Sequence, residues 1–277
     1  MSKTAAASAH AKAPSSPTDQ AGITRIPETE RTHTSGRDTF WLWFSCNATV
    51  PSVMVGALAS ILGLGAGEAI FVAVLFTVLG ALPVAFLSTL GPKTGLAQMP
   101  LSRFAFGFRG ARFPAALNGL SEVGWGVVNT VIGASLLTSW SQGRLPLPVS
   151  LAILVALTTL ISMYGYFVLQ RFERLVSGLL VFLFGVVFLA VLPHLQPAAL
   201  LLPGAASGLG LFAAVATCGG LVLAHAVGWA SLAADFTRYQ SANTPAARVF
   251  WYTLVGLALP CVVLETLGVT TVALRKE

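Results

Sequence analysis

Five residues between positions 122 and 133 share one helical face, because Glu122, Trp125, Gly126, Asn129 and Gly133 recur at spacings of three, four and seven. An indole face stacks a planar heterocycle for about 1–3 kcal/mol, and an amide one turn away presents a donor and an acceptor to its edge. Nucleobases need both. The plainer reading is helix packing, with Trp125 a packing aromatic, Asn129 an interhelical hydrogen-bond residue and the glycines a surface for close approach. Trp229, beside Gly228, is a second aromatic wall if its helix faces the first. Glu122 lies some two turns into its apolar run, where an ionised carboxylate costs about 3 kcal/mol unless it meets water or a partner. Proton coupling and a solvated interfacial position are both open for it. Glu265 invites the same argument. His225 reads first as a hydrogen-bonded interhelical histidine and second as a metal ligand or proton relay. Asp235 and Arg238 are three apart in Asp-Phe-Thr-Arg-Tyr and can pair at a membrane boundary as an anchor or gate.

The elements that position these residues follow from composition. Of 277 residues, 55% are apolar and 9% charged, and mean hydropathy is +0.79, too little polar surface for a water-soluble domain of this length. Apolar runs long enough to cross the hydrocarbon core occupy about 39–62, 68–90, 115–140, 147–169, 174–193, 209–234 and 249–274. Seven helical spans are expected, with turns at 63–67, 146–148 and 170–174. Thirteen of the sixteen Lys and Arg residues fall on the side of the amino terminus, which places that end in the cytoplasm of a multi-pass plasma-membrane protein. Residues 1–38, rich in Ala, Ser, Pro and Thr, read as a disordered cytoplasmic tail, and 39–277 as the membrane domain.

Two spans carry backbone breaks. Pro51, between Asn47 and Ser52, removes one helical hydrogen bond and frees the carbonyl four residues earlier. The sixth span carries Gly219-Gly220 and then Gly228. Interrupted helices are tolerated in a membrane where they are buried or line a cavity, and breaks five spans apart fit a five-helix unit repeated in inverted topology. The segment 91–114 reads as an inner-face loop held by Phe and Arg. Cys46, Cys218 and Cys261 show no metal-ligand spacing and read as small packing residues. Basic residues form no stripe with aromatics, which argues against nucleic acid. Hydrolase, metalloprotease, Walker and dinucleotide motifs are missing, so an enzyme is not expected. No span contains a lysine for a Schiff base.

At Trp125-Gly-Val-Val-Asn129 and at Gly228-Trp229-Ala-Ser-Leu-Ala-Ala-Asp235-Phe-Thr-Arg238-Tyr239, the sequence resembles the nucleobase:cation symporter family, in particular its cytosine/purine permeases. Trp41 to Gly56, the Thr94–Gly107 loop and Leu259 to Gly268 are similar to the family's corresponding stretches. The resemblance implies an all-α, LeuT-like core of two inverted five-helix repeats, the first over about 39–193 and a partial second over about 209–274, with helices one and six unwound. It implies that Trp125 and Trp229 stack on the two faces of a flat substrate, that Asn129 bonds its edge beside Gly228, and that Asn47 and Ser52 contribute from the broken first helix. The implied partners are a nucleobase and the lipid bilayer. No organic cofactor is implied, and the coupling ion is a proton or sodium. The family has twelve helices, so a chain ending after the seventh lacks part of the second repeat. Two rivals stand beside a symporter: a non-transporting remnant or helical interaction protein, and, further off, a seven-helix receptor or channel.

Overall fold

The computed structural model describes residues 23–31, 35–163, 166–194 and 201–273. Among the described residues, each of the seven expected apolar runs is largely helical. Helix α1 (Gly36–Asn47) is opened by a capping box, in which Ser35 Oγ accepts from Asp38 N–H at 3.3 Å and Asp38 Oδ2 accepts from Ser35 N–H at 2.9 Å. It stops at the peptide that Pro51 leaves unpaired and resumes as α2 (Val50–Ile61), bent by 55°. The freed carbonyl of Asn47 accepts hydrogen bonds from Ser52 Oγ at 2.8 Å and Thr49 N–H at 2.9 Å, so it is not stranded in lipid.

Helix α3 (Ala66–Ser88) leads through the short α4 (Leu90–Thr94) and Gly95, at φ +68°, into α5 (Gln98–Gly110). Then come α6 (Arg112–Trp140), α7 (Leu147–Met163), α8 (Tyr166–Val191), α9 (Gly208–Val227) and α10 (Ala246–Ala273). Four helical stretches, those of α3–α4, α6, α9 with its following turn, and α10, are long and apolar enough to cross a membrane, and the bent α1–α2 pair makes a fifth. Helix α7 and residues 178–191 of α8 are shorter apolar helices.

Helices α1, α2, α3, α9 and α10 form one tightly packed bundle around Trp43, Val84, Ala226, Leu257 and Cys261, with a second cluster around Val72, Cys218, Val222 and Val269. Helices α2 and α10 approach until backbones touch. A Cβ on Gly56 would lie 2.5 Å from the Glu265 carbonyl carbon, and one on Gly268 would lie 2.8 Å from Ala57 N. Helix α6 stands beside this bundle. Its neighbours are α5 and α7, joined to the latter by a 3.0 Å hydrogen bond between Thr138 Oγ1 and Ser150 Oγ, and Ala134 is its one buried residue among those described.

Three expectations change. Residues 1–22 and 32–34 of the expected tail lie outside the described residues, whereas 23–31 and 35–38 are folded. Arg31 is fully buried and donates to the carbonyls of Ile26 at 2.7 Å and Pro92 at 2.8 Å. Its guanidinium meets an acceptor at the end of α4, where carbonyls lack helical partners. The turn expected at 170–174 lies inside α8, because its polar residues are good helix formers. Gly219-Gly220 does not interrupt α9: the Phe76 ring packs against Gly219, and the α-helix gives way only at Gly228, to a 3-10 turn over Gly228–Leu232.

Candidate functional site

A cavity of about 280 Å³ opens between α6, the α1–α2 bend and the end of α9. Its size is at the small end of the range for organic ligands. Helix α6 supplies Glu122, Trp125, Gly126 and Asn129, which is the stripe its periodicity predicts. The bend supplies Cys46, Thr49 and Pro51, and the end of α9 with its turn supplies His225, Gly228 and Trp229. Two interrupted backbones thus meet one polar helical face.

The Trp229 indole is braced from behind. Trp229 meets the buried Trp43 edge to face at 5.8 Å between ring centroids, and Trp43 meets Phe236 in the same way at 5.2 Å. Trp125 is 37% exposed, with the His225 imidazole edge-on at 5.6 Å. A Cβ at Gly228 would lie 4.0 Å from Trp125 Nε1, so the turn passes close to the indole without a side chain between them. Asn129 Nδ2 donates to the Trp125 carbonyl at 2.8 Å. That bond fixes the amide and leaves its oxygen and second N–H for another partner.

Trp125, Asn129, Gly228 and Trp229 are therefore brought together, with Glu122 on the same wall. Asn47 and Ser52 are not on it. Both are buried behind the bend, where Asn47 Nδ2 donates to the Trp43 carbonyl at 2.9 Å and Ser52 holds the Asn47 carbonyl. They bond to the backbone of the break and to buried neighbours, Asn47 Oδ1 to Cys261 and Ser52 Oγ to His225, while Thr49 and Pro51 present its open side. Asp235 and Arg238 lie outside the lining. Asp235 Oδ1 accepts from Gln98 N–H at 2.6 Å, at the start of α5, where a helix favours negative charge. Burial pushes the Asp235 carboxyl above its usual range, opposed by that amide and by the Arg238 charge. Arg238 Nη2 donates to Tyr239 Oη at 3.0 Å. These residues tie the end of the sixth span to the α4–α5 connection, an anchor at a place the local spacing did not indicate.

Sequence reasoning passed over Cys46 and Thr49. A small apolar residue and a threonine carry no chemical signature, and only their position one turn before or directly beside the break could have marked them. Behind the cavity, a ring nitrogen of His225, Cys261 Sγ and a Glu265 oxygen lie within 4.8 Å of one another. The Cys261 thiol donates to Asn47 Oδ1 at 3.5 Å. A thiol that keeps its proton is a poor metal ligand, so the cluster is better suited to hydrogen bonding than to a cation.

Comparison with known proteins gives the family and the fold. The family described as permeases for cytosine/purines, uracil, thiamine and allantoin matches residues 25–274. The purine-cytosine permease FCY21 of Saccharomyces cerevisiae is 33% identical over 251 residues, covering 89% of this chain and 47% of its own length. The purine-cytosine permease fcyB of Emericella nidulans is 33% identical over 252 residues, covering 91% and 49%. The chain thus spans about half the length of the curated relatives it matches. Among solved structures, the nucleobase-cation-symport-1 transporter Mhp1, in a closed conformation with bromovinylhydantoin bound, superposes with a TM-score of 0.75 at 15% identity, covering 90% of this chain and 57% of that one. That likeness establishes the all-helical, LeuT-like fold. From the match over residues 25–274 and these relatives, the chain is a multi-pass membrane protein that belongs to the cytosine/purine permease family of nucleobase:cation symporters.

Proposed function

We propose that the protein imports a nucleobase, cytosine or a purine, across the plasma membrane by symport with a proton or sodium ion and alternating access. One observation carries the reading: an indole on the continuous helix α6, a second indole on the turn that ends α9, and an amide with a donor and an acceptor to spare line a single cavity of about 280 Å³. The ring faces would be covered by Trp125 and Trp229, and the edge read by Asn129. The names of the fungal relatives and the hydantoin in Mhp1 support a flat heterocycle. Residues 39–193 and 209–274 would form the two inverted units, with the amino terminus cytoplasmic, as the distribution of Lys and Arg favours. In this reading the chain's task is binding and movement; no bond in the substrate is broken.

The test is uptake of radiolabelled cytosine and adenine in cells expressing the chain, with equilibrium binding to the purified chain in lipid nanodiscs. Trp125→Ala should weaken binding by about 5- to 150-fold, the equivalent of one lost stacking face. Asn129→Ala should weaken it by about tenfold and flatten the preference among bases. Unchanged binding in both variants would remove this cavity from the mechanism.

A further inference from the structure

Behind the cavity wall, α2, α3, α9 and α10 enclose a polar cluster that nucleobase recognition leaves without a task. Glu265 of α10 is fully buried. Its Oε2 accepts a hydrogen bond of 2.8 Å from Thr77 Oγ1 of α3, and its Oε1 has no partner. His225 of α9 is 9% exposed; its Nε2 lies 3.3 Å from Ser52 Oγ, and its Nδ1 also lacks a partner. Two groups able to take or give a proton therefore sit within 4.8 Å of each other, each with an unused atom.

The surroundings supply little else of that kind. Helix α2 has no titratable residue and presents Gly56 to the Glu265 backbone. The one titratable residue of α3, Glu68, receives Gly65 N–H at the far start of that helix. Helix α9 adds the Cys218 thiol and α10 the Cys261 thiol, while Arg248 and Tyr252 lie in the first turns of α10. Among the described residues no lysine or arginine faces Glu265 to balance a negative charge. A membrane-buried carboxylate held by one hydroxyl is disfavoured unless it gains a partner or a proton. A proton on Oε1 neutralises the group and turns the idle acceptor into a donor.

His225 faces two ways. It reaches the Glu265 cluster, and it lines the cavity edge-on to Trp125. We propose that Glu265 binds the coupling proton and that His225 connects it to the nucleobase cavity. The step is a plain proton transfer. A hydronium ion in the cavity gives its proton to a ring nitrogen of His225 and leaves as water, and the imidazolium then passes a proton to the Glu265 carboxylate, directly or through one water. One N–H bond breaks, one O–H bond forms, and the imidazolium and carboxylate both become neutral. Glu122, on the exposed face of α6, is the competing site.

The inference rests on the nucleobase reading, and the experiment separates the two. The intact chain in nanodiscs is titrated with cytosine and with adenine, followed by tryptophan fluorescence, across a range of pH. In parallel, the carbonyl stretch of protonated, 13C-labelled glutamate is followed by infrared spectroscopy. Linkage sets the sign: bound proton favours bound base, so affinity is highest at low pH and falls about tenfold per pH unit once the coupling group ionises. Glu265→Gln, a neutral isostere, should keep the low-pH affinity at every pH and lose one infrared band; Glu122→Gln should keep the pH slope. A slope that survives Glu265→Gln, or that disappears in Glu122→Gln, overturns the proposal while leaving the nucleobase reading intact. A titrating Glu265 band with no binding of either base at any pH overturns the nucleobase reading and keeps Glu265 as the proton site. Should Glu265→Gln fail to fold, the infrared titration decides: the glutamate band must vanish at the pH where the slope begins and shift in His225→Gln, and a band that does neither refutes the assignment.

Discussion

Replacing Gly56 by alanine should pull α2 and α10 apart, because nothing flexible lies where the new methyl group must go. The added Cβ would stand 2.5 Å from the Glu265 carbonyl carbon and 2.6 Å from its Cα, and closer still to its oxygen. All three are backbone atoms. To reach ordinary contact the two helices must separate by about 1 Å along a seam packed as tightly as a protein interior. Overpacking of this kind costs about 1–3 kcal/mol, and the reciprocal contact of Gly268 with Val53 and Ala57 on the same seam argues for the upper end. About 3 kcal/mol corresponds to a fall of about 6–12 °C in apparent Tm for a chain of this size. The assay is thermal unfolding in detergent, read by the fraction remaining monodisperse on size exclusion. Gly124→Ala is the control, since its Cβ would meet nothing within 4 Å. Equal melting of the two variants would refute the reasoning. Because the displaced atoms belong to Glu265, Gly56→Ala should also weaken the Thr77 hydrogen bond, visible as a shift of the glutamate infrared band.

Three further outcomes follow from contacts described above. Gly228→Ala should leave base affinity within about threefold, since its Cβ would make an ordinary 4.0 Å contact with Trp125 Nε1, whereas Gly228→Leu should lower it at least tenfold by filling the cavity. Asp235→Ala strands the Gln98 amide at the start of α5 and should speed hydrogen exchange at residues 98–101 by roughly 5- to 30-fold, with Asp235→Asn much closer to the parent chain. Gly95→Ala forces a side chain into φ +68° and against the Arg31 guanidinium, costing about 1–2 kcal/mol, and limited trypsin digestion at Arg25 and Arg31 should accelerate.

Long apolar runs were legible because lipid leaves a backbone few alternatives to the helix. The Trp125–Asn129 stripe was legible for a related reason: on an unbroken helix, spacing determines facing. Where the helix is interrupted, that rule lapses. The 55° bend resets the phase between Asn47 and Ser52, so polarity alone could not tell the cavity side from the buried side. Asp235 shows the same limit. Its three-residue spacing from Arg238 has meaning on an α-helix, but the chain there is a run of turns, and its partner Gln98 is 137 residues distant. The buried Arg31 was lost in an average, since composition over 38 residues hides a short segment with its own acceptors.

The Ser52 hydroxyl, which shares the Asn47 carbonyl with the Thr49 N–H at 2.9 Å, has a mechanical consequence. A rigid ladder of amide bonds fixes the direction of an axis, but the Cβ–Oγ bond of Ser52 rotates and can follow its acceptor as the angle changes. The joint is built as a pivot whose pin lies buried against Asn47, so a change of angle that keeps Ser52 on its acceptor exposes no peptide to hydrocarbon.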